Sequence, residues 1–160
     1  MRTRLLFVGG PLLAAAVAAG VVLVLARGSD AGPGDPAAFM TTLIEQIAGN
    51  DYADAWITLH PAQQRVATRD AYISCESQSP IPGKLASVTV LDVVDEQVRV
   101  AGQGTAPGKA VRLKLSIGGA GGAPVVVTHT GHAVAVAGHW TWILPPERFA
   151  DYEAGHCPQG

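Results

Sequence analysis

The chain has 160 residues, 48% of them hydrophobic and 15% charged, with a formal net charge of −2. That length argues for one domain plus an appendage, and the charge excludes the basic footprint that nucleic-acid binding requires. No run of like charges marks a polybasic lipid patch or a charged tail.

The N-terminus carries the clearest signal. Leu5 to Ala26 is a run of 22 residues without a charge. As a helix it spans about 33 Å, enough for a ~30 Å hydrocarbon core. Arg2 and Arg4 precede it, whereas Asp30 and Asp35 follow soon after Arg27. That asymmetry predicts a cytoplasmic stub (1–4), a transmembrane anchor (5–26) and an exported remainder. A cleaved signal peptide is the competing reading. Val24-Leu25-Ala26 and Ser29-Asp30-Ala31 offer small residues at cleavage spacing, although the apolar run exceeds the usual signal core of about 7–15 residues. Both readings export the rest of the chain, which holds nine Lys/Arg against thirteen Asp/Glu. The expected location is the cell membrane, crossed once, with the C-terminal domain extracytoplasmic.

Export decides how Cys75 and Cys157 are read. In an oxidising compartment an even pair of cysteines predicts a disulfide, and two cysteines allow one intramolecular connectivity.

Residues 27–35 are Gly-, Pro- and Ser-rich and read as a linker. An extracytoplasmic domain then occupies 36–160. Asp35-Pro36 starts a helix, with Asp as N-cap and Pro at the first helical position. Phe39, Met40, Leu43, Ile44 and Ile47 give it one apolar face, and Gly49-Asn50 ends it. A second, shorter helix carries Tyr52, Ala55, Trp56 and Leu59 on one stripe. Pro61 starts a new turn, and 62–76 reads as a third helical stretch. Ser77–Gly83 is a loop, with Pro80 and Pro82 blocking continuation.

The period then changes. Lys84–Asp95 is rich in Val and Leu, and Gln97–Ala101 alternates. Val111, Leu113, Leu115 and Ile117 alternate with Arg112, Lys114 and Ser116, as a strand with one buried face does. Val125–Val136 reads as a long strand bulged near Gly131, and His139–Leu144 as another. The spacers Ala101–Lys109, Gly118–Ala123 and Gly138 sit where hairpin turns belong. Pro145-Pro146-Glu147 begins a final helix. The expected fold is α+β: N-terminal helices packed on a curved, cone-like antiparallel sheet, preceded by the membrane helix.

This pattern resembles the nuclear transport factor 2-like, or cystatin-like, superfamily. The resembling residues are the two opening helices with Asp51-Tyr52-Ala53-Asp54-Ala55-Trp56, Leu59 and Pro61, then the strands ending in Trp140-Thr141-Trp142. The layout of one membrane helix and an exported domain is similar to membrane-tethered actinobacterial cell-envelope accessory proteins and to tethered scaffold proteins of secretion machines. Enzymes share the fold, including ketosteroid isomerase and polyketide cyclases. Those isomerase-like members use a pocket carboxylate and a Tyr or protonated acid. This chain has no Asp or Glu between Gly102 and Pro146, so their chemistry does not carry over.

The candidate sites are few. Tyr52, Trp56, Tyr72, Trp140 and Trp142 form either the core between helices and sheet or the lining of an apolar pocket. Tyr52, Tyr72 and Asp54 are the residues an enzyme reading needs. Asp92, Asp95 and Glu96 are expected near a hairpin end. His129, His132 and His139 would need a bulge at Gly131 to share a metal, and no metal or cofactor is expected. Arg112 and Lys114, with Arg99 on a neighbouring strand, make a polar sheet face. The leading expectation is a non-catalytic, membrane-anchored interaction or accessory domain whose partner is an envelope protein or a second copy. A small apolar-ligand-binding domain and an isomerase-, dehydratase- or cyclase-like enzyme are the alternatives.

Overall fold

The computed structural model describes residues 33–118 and 123–159. The expected membrane helix, most of the linker and the tip of the Gly118–Ala123 turn lie outside the described residues. Among the described residues no helix is long and apolar enough to cross a membrane.

Helix α1 spans Pro36–Ala48. The Asp35 carboxylate accepts from the Ala37 N–H at 3.0 Å, satisfying a donor that has no partner within the helix. The helix ends at Gly49, and Asn50 takes the left-handed conformation (φ 64°) that reverses the chain. Helix α2 covers Tyr52–Ile57 and α3 covers Pro61–Gln64. The single helical stretch expected over 62–76 is broken. Trp56 Nε1 donates to the Ala67 carbonyl at 2.7 Å, and Thr68 is extended (φ −59°, ψ 155°). Helix α4 starts afresh at Arg69 and runs to Gln78.

Four strands follow: β1 Lys84–Val100, β2 Gly104–Gly118, β3 Val125–Val136 and β4 His139–Trp142. They form one curved, open antiparallel sheet in sequence order. Helix α5, Pro146–Glu153, closes the domain. The helices-then-meander order is as the sequence predicts, but three details differ. The runs 84–95 and 97–101 are one strand with extra residues at Ala86 and Leu91, so Asp92, Asp95 and Glu96 sit in mid-strand and not at a hairpin end. The spacer expected over 101–109 is a turn only at 101–103; Gly104–Lys109 belongs to β2. Pro107 is tolerated there because β2 pairs with β3 only from Gly108 onward, so the missing N–H breaks no ladder on that side. The bulge expected at Gly131 is absent, since β2 and β3 stay in register from Gly108–Val134 to Ile117–Val125. Glycine stands at 131 for another reason: a Cβ there would lie 2.5 Å from Met40 Sδ. The missing side chain lets α1 cross β3 closely.

Alternation settles the core. Val111, Leu113 and Leu115 are buried under the helices, while Arg112 and Lys114 face solvent. Met40, Leu43, Ile44, Tyr52, Leu59, Tyr72 and Trp142 complete that layer. A smaller cluster of Val98, Val100 and Val134 packs with Ala62. By register it lies on the other face of the sheet. The helical segment is sewn to β4 by backbone bonds from His60 N to Trp142 O (2.9 Å) and from Trp142 N to Thr58 O (3.0 Å).

Candidate functional site

The aromatic residues meet between helices and sheet. Tyr52, Tyr72 and Trp142 are buried, whereas Trp56 and Trp140 are half-buried. Tyr72 and Trp142 pack edge to face, centroids 6.0 Å apart, the arrangement the ring quadrupoles favour. Trp140 and Trp142 share a strand face, as parity requires. The polar tips of four of these rings bond to the chain itself. Trp142 Nε1 donates to Ala55 O (2.7 Å), Trp56 Nε1 to Ala67 O, Trp140 Nε1 to Gly34 O (2.9 Å) and the Tyr52 hydroxyl to Asn50 Oδ1 (2.7 Å). Asp54 is exposed on α2.

Beside this layer lies a charged cluster that no sequence motif announced. Glu76 on α4 is only 9% exposed. Arg148 of α5 ion-pairs with Glu76 Oε1, and the Tyr152 hydroxyl donates to the same oxygen at 2.8 Å. Burial, reinforced by the Glu76 charge, raises the pKa of both Tyr72 and Tyr152. Tyr52 is raised by the same two causes. Burial alone would lower the Arg148 pKa, but Glu76 more than offsets it and holds the guanidinium charged. One residue before Glu76, Cys75 is disulfide-bonded to Cys157, with Cα atoms 5.1 Å apart. The predicted disulfide is therefore present, and it supplies the one sequence clue to the cluster. Tying 75 to 157 brings α4 alongside α5, where Arg148 and Tyr152 share a face at i, i+4 spacing. Chemically the group is a staple. One carboxylate oxygen, Oε1, takes both donors.

The strand histidines do not converge on one site. His129 and His132 lie on opposite faces of an unbulged strand. His132 Nε2 instead approaches Glu96 Oε2 across the sheet at 3.4 Å, and His139 is exposed at the start of β4. Among the described residues no three His, Cys, Asp or Glu side chains are grouped to hold a metal. His60 is buried, caps α3 through Nδ1, which accepts from Ala62 N at 3.2 Å, and has its pKa lowered by burial and by Arg65. Arg112 pairs with Asp92, and Lys109 with Asp95 at 2.5 Å. Arg99 opposes Thr105 on the other face and does not join Arg112 and Lys114. Two open depressions stand out among the described residues. One of about 260 Å³ is lined by Asp95, Glu96, Gln97, Pro107 and Gly108. The other, of about 230 Å³, lies between the end of α1 and Lys84-Leu85. Neither reaches an aromatic residue.

Comparison with known proteins finds no match among family models, curated proteins or solved structures.

Proposed function

We propose that the chain is a non-catalytic interaction or accessory domain, anchored in a bacterial cell membrane by residues 5–26 and held on the extracytoplasmic side. Its fold is read as nuclear transport factor 2-like, on the residues quoted above. The observation that carries the interaction reading is where apolar surface remains exposed. Leu91, Val93 and Val94 on β1 and Val125, Val126 and Val127 on β3 are exposed on the sheet, whereas the aromatic layer is packed and its Trp N–H groups are bonded to backbone. Runs of adjacent exposed apolar residues, here one on β1 and one on β3, mark an interaction surface more often than single scattered ones do. The buried carboxylate, which a catalytic reading would need free, is held by Arg148 and Tyr152. The disulfide supports an oxidising compartment.

The test uses the full chain in its own membrane. A photo-activated cross-linker at exposed Leu91 or Thr128 is expected to give discrete protein adducts, and apolar carbonyl compounds are expected to leave Tm unchanged. A Tm rise of several degrees with such a compound, and no adducts, contradicts the reading in favour of a ligand-binding domain.

A further inference from the structure

The two edges of the sheet are built differently. β1, at one edge, carries two register shifts and the charges Lys84, Asp92, Asp95, Glu96 and Arg99. Bulges and charges of this kind are how sheets keep other strands away. At the other edge, β4 covers β3 only from Ala133 to Val136. Val125 to His132 is thus an open edge in the described structure. It has no Asp, Glu, Lys or Arg, no proline and no register shift. Its valines are exposed on both faces, Val125 at 61%, Val126 at 59% and Val127 at 39%.

We propose that this edge pairs with the same edge of a second copy of the chain. The pairing is antiparallel, centred on Thr128, and joins two four-stranded sheets into one. A twofold axis along the sheet normal keeps like faces together and requires a residue to sit opposite itself. Centring on Thr128 sets Val125 opposite the partner's Gly131, Val126 opposite the partner's Thr130 and Val127 opposite the partner's His129. Each valine meets a small or uncharged neighbour, and the ladder runs from Val125 to Gly131, stopping short of β4 in both copies. The charges agree with this occupant. Arg112, opposite Thr130, is neutralised by Asp92. Lys114, opposite Thr128, comes no closer to the partner's Lys114 than three strand spacings, about 14 Å. That exceeds the screening length of about 8 Å at physiological salt. A ladder of this length falls below the ~800 Å² per partner of a standard interface, so the dimer is expected to be weak, about micromolar. Copies confined to one membrane surface gain from a raised effective concentration, and this last point alone rests on the anchored reading.

The experiment is sedimentation velocity of the detergent-solubilised full chain at about 1–100 µM, with two variants. The wild type is expected to dimerise reversibly. Val126→Lys, a change at an exposed position, is expected to weaken the dimer about tenfold or more by putting into the ladder a charge that pairing would have to strip of water. Oxidised Thr128→Cys is expected to give a covalent dimer, whereas Thr89→Cys, on the same face at the β1 edge, is not. A chain that stays monomeric overturns the proposal. So does a dimer that Val126→Lys leaves intact, which would place the contact elsewhere, and so does equal cross-linking from 89 and 128.

Discussion

Glu76 Oε1 accepts from both Arg148 and Tyr152, so removing the carboxylate strands two donors at once. A buried ion pair contributes little over an apolar substitute, but breaking it by deleting one partner costs about 3–5 kcal/mol. Glu76→Ala is therefore expected to lower stability by about 3 kcal/mol, and Glu76→Gln by less, since an amide oxygen still accepts. Urea unfolding of the three proteins checks both. The tyrosines give a second prediction at this scale. All three in the sequence have pKa values raised by burial and then by Glu76. A native pKa above the ordinary value of 10.0 means that the unfolded chain loses its phenolic protons first. Stability is then complete below that pH and declines as pH rises beyond it. At pH 10.0 the native protein should therefore show less tyrosinate absorbance than the unfolded chain, and the remainder should appear together with loss of near-ultraviolet dichroism. Independent titration near 10, without unfolding, would show the rings open to solvent.

At the scale of elements, the Cys75–Cys157 bond and the Glu76 cluster both fasten α4 to α5. The bond closes a sequence separation of 82, for which the chain-entropy model gives about 4–5 kcal/mol. A Cys75→Ala/Cys157→Ala double variant should lose a large part of that in urea, while alkylation of the unreduced wild type should label no thiol. Helix α3 is tuned to pH through its cap. His60 is neutral, buried and accepting at Nδ1, and its native pKa is below the ordinary 6.5. The unfolded chain therefore takes up the proton first. The stability contribution is present above pH 6.5 and is lost as pH falls through the native pKa. His60→Asn, which keeps a capping oxygen, should flatten this acid limb of a Tm–pH curve; an unchanged limb would assign it to other groups. Local rules made much of this level legible. Asp35-Pro36 and Gly49-Asn50 bound α1 as read, and the alternation at 111–117 assigned the buried face of β2 correctly. Long-range geometry defeated the rest. Pro107 reads as a loop residue until β3 is known to begin pairing at Gly108, and Gly131 reads as a bulge until Met40 is known to press on it. No local pattern links Glu76 to Arg148, which lies 72 residues further along the chain.

For the whole molecule, the aromatic candidates were legible as one layer, because Trp140 and Trp142 share parity and the helix residues share a stripe. Whether that layer encloses space depends on how rings from distant segments meet, which spacing does not encode. On the proposed reading the domain lies outside the cell behind an anchor at residues 5–26; its exposed large apolar residues are Ile57 on α2 and those on β1 and β3. The most direct measurement is membrane topology of the full chain in a bacterial cell. The chain should sediment with membranes after an alkaline carbonate wash, and protease added to spheroplasts should digest the folded domain only once its disulfide is reduced. A chain recovered in the soluble cytoplasmic fraction, with both cysteines free to alkylate, would contradict the account.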